Sequence, residues 1–301
     1  MIIVPRDWKI SIGFAALLAA ATARAQAPVL THTVSIYEDE KGQPLKAPEG
    51  VACGDGERLV VADTGNGRLL RLLYRNGVVS GGTPLVLSQL PYPVRLQLDG
   101  QGVLWVLDRK VRRIGRVDAS GAFAGYLEVK GVPPESVVPG AFKLDAGGNV
   151  YLLDLAGVRA LVLDASGAVQ RQLDLPKKPA FFTDLAVDPA GTVYAVDASG
   201  GAVWSAPKAA KAFTLLAKGL KDNMSFPGSL TVSRGRLYVV DQNGDGVVVL
   251  GLDGTYQGRQ LGIGWSEGLV YYPGQLCLDE GGSAFLADRY NNRVQIFSMK
   301  K

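Results

Sequence analysis

The chain has 301 residues, 47% of them hydrophobic, with 38 glycines, 20% charged residues, a formal net charge of +4, two cysteines and one histidine. That balance suits many short strands joined by glycine turns, and outside the first 25 residues no stretch keeps a helical apolar stripe. The lone histidine leaves no set of imidazoles for the usual zinc hydrolase or lyase and, unless it is itself placed in a pocket, no base for a Ser-His-Asp or Cys-His arrangement.

The first element is a leader. Arg6 and Lys9 precede Ile10–Ala23, an apolar run of 14 residues, and Ala23-Arg24-Ala25 has the small-x-small form of a cleavage site. Residues 1–25 are therefore expected to be a signal peptide, with mature chain from Gln26; an uncleaved anchor is the competing reading. The first cysteine is Cys53, so no lipoprotein site follows the leader. Cleavage removes three cations (Arg6, Lys9, Arg24) and one acid (Asp7), which takes the charge from +4 to +2. An almost neutral chain gives no ground for a nucleic acid partner. A periplasmic or secreted protein is expected, with no stable membrane span after cleavage.

The next element, Thr31–Glu38, alternates like a strand, with His32, Val34 and Ile36 on one face and Thr33, Ser35 and Tyr37 on the other. Then a unit repeats six times: apolar-x-apolar-Asp-x-x-Gly-x-apolar-x-apolar-x-Asp. The copies are Val51–Asp63, Leu96–Asp108, Phe142–Asp154, Leu185–Asp197, Leu230–Asp241 and Leu276–Asp288, and their closing aspartates are 45, 46, 43, 44 and 47 residues apart. A period in the forties with strand patterning predicts a propeller array. In the last unit, Leu276–Leu278 reads as an inner strand and Asp279-Glu280-Gly281-Gly282 as a turn. Ala284–Ala287 is a second strand, Asp288–Asn292 another turn and Arg293–Phe297 a third strand. Unit six then runs out. A four-stranded blade lacks its outer strand there, and the prediction is that Thr31–Glu38 pairs with Val294–Ser298 to supply it and remove the free edge.

Val61-Ala62-Asp63-Thr64-Gly65-Asn66-Gly67-Arg68 and Leu286-Ala287-Asp288-Arg289-Tyr290-Asn291-Asn292-Arg293-Val294-Gln295-Ile296-Phe297 resemble NHL repeats, and Tyr272-Pro273-Gly274 matches the opening Pro-x-Gly of such a repeat. The resemblance covers about residues 47–301, strongly in units one and six and weakly in two to five. It implies an all-β, six-bladed propeller with four antiparallel strands per blade, so residues 26–301 are expected to be one domain. Six-bladed enzymes with functional histidines, such as the amidating lyase and the streptogramin lyase, find little support in a chain with one histidine. A gluconolactonase-type enzyme, whose metal is held by Glu, Asn and Asp, stays open.

The closing aspartates, each before a Gly/Asn turn, are read as acceptors of backbone N–H groups rather than as catalytic acids. Asp241-Gln242-Asn243-Gly244-Asp245-Gly246 matches the first half of a calcium loop, but Leu252 stands where the bidentate acid is required. Asp241, Asn243 and Asp245 are thus a weak metal candidate in a turn; no cofactor is expected, with Ca²⁺ left open. His32, in the closing strand, reads as an ordinary strand residue. Cys53 and Cys277 lie on inner strands of units one and six, neighbours in a closed ring. A disulfide or two buried thiols are the alternatives.

Propellers present function on loops at the channel mouth. The loops before the inner strands and those after the second strands predict a mixed polar rim of Glu49, Arg95, Arg109, Asp184, Arg289 and Tyr290. Mixed signs argue against a nucleic acid track and suit a peptide, saccharide or protein. The long link Gly258–Pro273 is either a lid or a packed loop. The expected function is an exported binding or scaffold module, monomeric and without catalytic residues, for a protein, peptide or carbohydrate partner. The alternatives are a metal-assisted lactonase or hydrolase and a structural envelope component.

Overall fold

The computed structural model describes residues 27–54, 57–176 and 180–300; the expected leader over 1–25 lies outside them. The chain opens with β1 (Val29–Ile36) and then forms five consecutive four-stranded sheets. Blade one holds β2 (Gly50–Gly54), β3 (Arg58–Asp63), β4 (Arg68–Arg75) and β5 (Val78–Leu85). Blade two holds β6 (Pro93–Leu98), β7 (Leu104–Asp108), β8 (Arg113–Val117) and β9 (Phe123–Tyr126). Blade three holds β10 (Pro139–Leu144), β11 (Val150–Asp154), β12 (Arg159–Leu163) and β13 (Val169–Asp174). Blade four holds β14 (Phe182–Val187), β15 (Val193–Asp197), β16 (Ala202–Ala206) and β17 (Thr214–Ala217). Blade five holds β18 (Pro227–Ser233), β19 (Arg236–Asp241), β20 (Gly246–Gly251) and β21 (Tyr256–Gln260). Blade six takes β22 (Pro273–Leu278), β23 (Ser283–Asp288) and β24 (Arg293–Lys300), and β1 completes it in the order β1-β24-β23-β22.

The chain is therefore a six-bladed β-propeller closed by its N-terminal strand, as the truncated sixth unit requires. Pairing runs from Val29 opposite Lys300 to Ile36 opposite Val294. One detail of the closing strand departs from simple alternation. A bulge between His32 and Val34 adds a residue to β1. Leu30 before it packs into the blade five–six core, whereas Val34 and Ile36 after it pack into the blade six–one core. His32, Val34 and Ile36 thus do not share a face, because an extra residue in a period-two strand reverses every later side chain.

Among the described residues each gap between neighbouring blades holds one apolar cluster. The second strands β7, β11 and β15 are buried from end to end. Both faces of such a strand meet another blade, which is why the sequence there is nearly continuous apolar residue rather than alternating. A fully buried Leu or Val in one of them contributes about 1.5–3 kcal/mol.

The closing aspartates hold the blades in register. Each accepts a backbone N–H from the segment leading into its own inner strand: Lys46 to Asp63, Tyr92 to Asp108, Val138 to Asp154, Phe181 to Asp197, Phe226 to Asp241 and Tyr271 to Asp288. In blades one, three and six, an arginine five residues later adds an Nε–carboxylate bond, at 2.6 Å for Arg68, 2.8 Å for Arg159 and 2.7 Å for Arg293. The turn after Asp63 is a single 3-10 turn ending at Gly67 with φ 63°, and the equivalent turn after Asp288 ends at Asn292 with φ 51°. Asparagine and glycine share this slot because both tolerate the left-handed region.

Candidate functional site

Three groups of side chains meet at the channel mouth that carries the turns after the second strands. Glu49, immediately before β2, is 2% exposed. Arg109, from the turn after β7, donates to both its oxygens, at 3.2 and 2.8 Å. Arg289, from the turn after β23, places Nη2 3.2 Å from the same carboxylate. Each of these guanidiniums also lies near tyrosine rings: Arg109 by Tyr92, and Arg289 by Tyr272 and Tyr290 at 5.5 and 5.3 Å. Gly274 allows blade six to approach this close; a Cβ there would stand 2.4 Å from the Glu49 carbonyl oxygen.

Arg95 forms the second group. It lies within β6 rather than on the loop before it, and its Nη2 donates to the Gly228 carbonyl at 2.9 Å. Blades two and five are opposite one another, so the side chain spans the channel. No carboxylate pairs with it at salt-bridge distance among the described residues, and its Nε is buried with no hydrogen-bond partner, as is that of Arg289. Burial pulls the Arg95 guanidinium below its usual pKa, and Arg109 and Arg289 act in the same direction, against Asp184 and Glu49. A guanidinium nonetheless stays charged.

The third group is Asp184 with Lys143. Asp184 lies inside β14, accepts from the Leu185 and Leu230 backbone N–H groups at 2.9 and 2.8 Å, and has Lys143 Nζ 3.7 Å away. Burial lowers the Lys143 ammonium pKa, and Arg95 lowers it further. At the register of Arg95, Gln275 reaches from blade six to blades one and two: its Oε1 accepts from Leu96 N at 2.9 Å and Val51 N at 3.3 Å, and its Nε2 donates to Leu96 O at 2.7 Å. From Gln275 inward a cavity of about 240 Å³ is lined by inner-strand residues of all six blades, among them Ala52, Gln97, Lys143, Ala186, Thr231 and Cys277.

The structure thus gathers Glu49, Arg95, Arg109 and Arg289 into one network, with Asp184 beside Arg95. Arg109 and Tyr290 are the open members, at 54% side-chain and 47% residue exposure, whereas Glu49 and Asp184 are buried. The polar rim expected on loops instead extends into the channel, because Arg95 and Asp184 belong to strands. Reading loops alone missed Lys143. A column reading finds it: the residue two places after Arg95-type positions is Ala52, Gln97, Lys143, Ala186, Thr231 or Cys277 in the six copies, and lysine is the outlier. Tyr92 and Tyr272 carry no such signal, since they are placed by the links between blades.

The other candidates fall elsewhere. Asp241 accepts from Ser225, Phe226 and Gly244 backbone groups and from Arg259 at 3.0 Å, and Asp245 accepts from Tyr272 N at 2.6 Å. These bonds commit the carboxylates of the calcium-like loop to the turn. Among the described residues no group of three or more His, Cys, Asp or Glu side chains could hold a metal. His32 lies on the outermost strand of blade six, against Phe297 and 2.9 Å from Ser35 Oγ. Cys53 and Cys277 form a disulfide across the blade one–six junction, with Cα atoms 5.9 Å apart. The long link is pinned to blade six: Ser266 and Leu269 carbonyls accept from Arg293, and Asn291 donates to Gly264 O. It is a packed loop that places Tyr271 and Tyr272 beside Tyr290 and leaves Trp265 79% exposed. No helix among the described residues is long and apolar enough to cross a membrane.

No protein-family model matches the chain, and no curated protein matches it in sequence. Solved structures share its fold. A catalytically inactive histidine-to-alanine variant of virginiamycin B lyase from Staphylococcus aureus, with quinupristin, is 14% identical, matches 88% of this chain and 99% of its own, and gives a TM-score of 0.64. A gluconolactonase from Xanthomonas campestris is 18% identical over 91% of this chain and 95% of its own, with a TM-score of 0.66. A chain of a nidogen–laminin complex is 18% identical over 77% and 91%, with a TM-score of 0.58. At these identities the likeness is one of fold, shared by lyases, lactonases and a protein-binding assembly alike.

Proposed function

We propose that this NHL-like propeller is a binding module, exported from the cytoplasm, that holds a protein, peptide or carbohydrate partner at the Arg95–Arg109–Arg289 mouth of its channel. The observation that carries the reading is the state of the two mouth carboxylates. Glu49 is shared between two guanidiniums and Asp184 is committed to Lys143 and two backbone N–H groups. A hard divalent cation needs several oxygen ligands free of competing positive charge. This mouth offers cations in excess, which supports recognition over metal-assisted lactone hydrolysis. The lyase alternative is also weakly supported: replacing one histidine inactivates the virginiamycin B lyase, whereas His32, the only histidine here, lies on an outer strand. Export is supported by the leader pattern and by the paired cysteines.

The test is partner capture from a cell-envelope extract with the wild-type chain and the Arg95→Gln/Asp184→Asn double variant. The double variant is expected to keep its circular dichroism spectrum and cooperative melt while losing capture. Equal capture by both chains would remove the mouth from consideration. A stoichiometric divalent ion that survives dialysis of the wild-type chain would move the reading to the lactonase alternative.

A further inference from the structure

Resting on the reading of the mouth as the partner site, we infer that the group it receives is a ring-borne carboxylate flanked by hydroxyls, the terminal hexuronate of an acidic saccharide. Charge is the first ground. Among the described residues Arg95, Lys143, Arg109 and Arg289 have between them only Glu49 and Asp184 as carboxylates at salt-bridge distance, so two positive charges are left over. One belongs to Arg95, which has no carboxylate partner at salt-bridge distance among the described residues, and the other arises because Glu49 serves two arginines. The buried, unpartnered Nε atoms of Arg95 and Arg289 mark the same two side chains. Guanidinium forks take carboxylates in two parallel bonds, so excess arginine points to a carboxylate rather than to a neutral ligand.

The mixture of signs is the second ground. A nest of arginines alone would suit any anion. Here Glu49 and Asp184, whose oxygens are already bonded within the protein, sit among the cations, and their charge would repel a second acid on the ligand. Hydroxyls carry no charge, so a hydroxyl-bearing ring with a single carboxylate matches the layer better than an acidic peptide, which brings further acids.

The third ground is shape. Arg95 reaches across to blade five and Gln275 to blade two in the same register, so the two side chains narrow the channel within the layer, which suits an end group rather than a chain passing through. Beside Arg289, Tyr272 and Tyr290 stack at 4.7 Å, Tyr271 meets Tyr290 edge-on at 5.4 Å, and Trp265 meets Tyr271 at 6.4 Å. This row of rings, ending at Trp265 with 79% exposure, offers apolar faces with polar tips to the rings that follow the terminal one.

The probe is tri-galacturonate, titrated into the full chain by calorimetry at low salt. Saturable binding is expected, at least tenfold tighter than for its methyl ester or for maltotriose, which lack the charge, and than for acetate, which lacks the ring. Arg95→Gln and Arg109→Gln should each weaken it at least tenfold; the exposed Arg109 side chain keeps the test valid if the Arg95 variant fails to fold. Lys208→Gln, on the opposite face, should leave it unchanged. Absence of saturable binding, equal binding of the methyl ester, indifference to both arginine variants, or tighter binding of an acidic peptide would each overturn the inference. If envelope-partner capture depends on the mouth but tri-galacturonate does not compete with it, the inference fails while the binding reading stands. If capture ignores the mouth variants, that reading fails too.

Discussion

Eight buried carboxylates define two regions of this molecule, and they are used in opposite ways. The six clamp aspartates at the ends of the second strands are satisfied locally, by backbone N–H groups and in four blades by one arginine each. At the channel mouth, Glu49 and Asp184 are held among four cations drawn from blades two, three and six. The clamp carboxylates are bonded within their own blades, whereas the mouth holds more cations than carboxylates. Burial of an acid is therefore a poor marker of function in this propeller. The ratio of cations to carboxylates, and whether they come from different blades, separates the two uses.

The clearest way to break the comparison is to remove a clamp acid. Asp288→Ala leaves Arg293, 3% exposed, without its carboxylate and frees Tyr271 N, so a loss of about 3–5 kcal/mol is expected. Urea denaturation measures it, and a loss no larger than that of a typical surface substitution would mean that the clamp is not structural. Replacing both cysteines by alanine should come next, at about 2–4 kcal/mol, because the bridge closes a loop of 224 residues at the blade one–six junction. Its melting temperature should fall while tri-galacturonate affinity stays within twofold, since the bridge ties the two inner strands inward of the Arg95 register. A parallel loss of affinity would show that closure and mouth are coupled.

The smallest effect sharpens the distinction. Burial, together with Asp241 and Asp288, raises the Asp245 pKa above its ordinary value of 3.8, against the Tyr272 N–H bond. Its folded pKa exceeds the unfolded one, so ionisation of Asp245 disfavours the folded state above that window and the penalty vanishes as pH falls through it. Asp245 also has φ 55°, a conformation that asparagine tolerates. Asp245→Asn should thus raise the melting temperature at pH 7, with the gain shrinking toward pH 4. A gain that is the same at both pH values would assign the effect to backbone conformation alone.

Much of the fold was legible because repetition supplies its own alignment. Asp63 and Asp288 recur at one address with turn residues after them, and a missing outer strand in unit six pointed to Thr31–Glu38. The bulge in β1 was not legible, since nothing in Leu30–Ile36 distinguishes an extra residue from regular alternation. At the site, Glu49, Arg109 and Arg289 could be nominated from loop position. That Arg95 reaches Gly228 in the opposite blade, and that Lys143 joins Asp184, could not be read from positions 133 and 41 residues apart along the chain.

By itself, the sequence determined the number of blades, the strand order within each and the chain end that closes the ring, because these follow from local patterning repeated at a fixed period. Tertiary structure alone decided which charges share the channel and which are left in excess. Electrostatic pairing depends on distances of a few ångströms across the ring axis, and those distances exist only once six blades have closed around it.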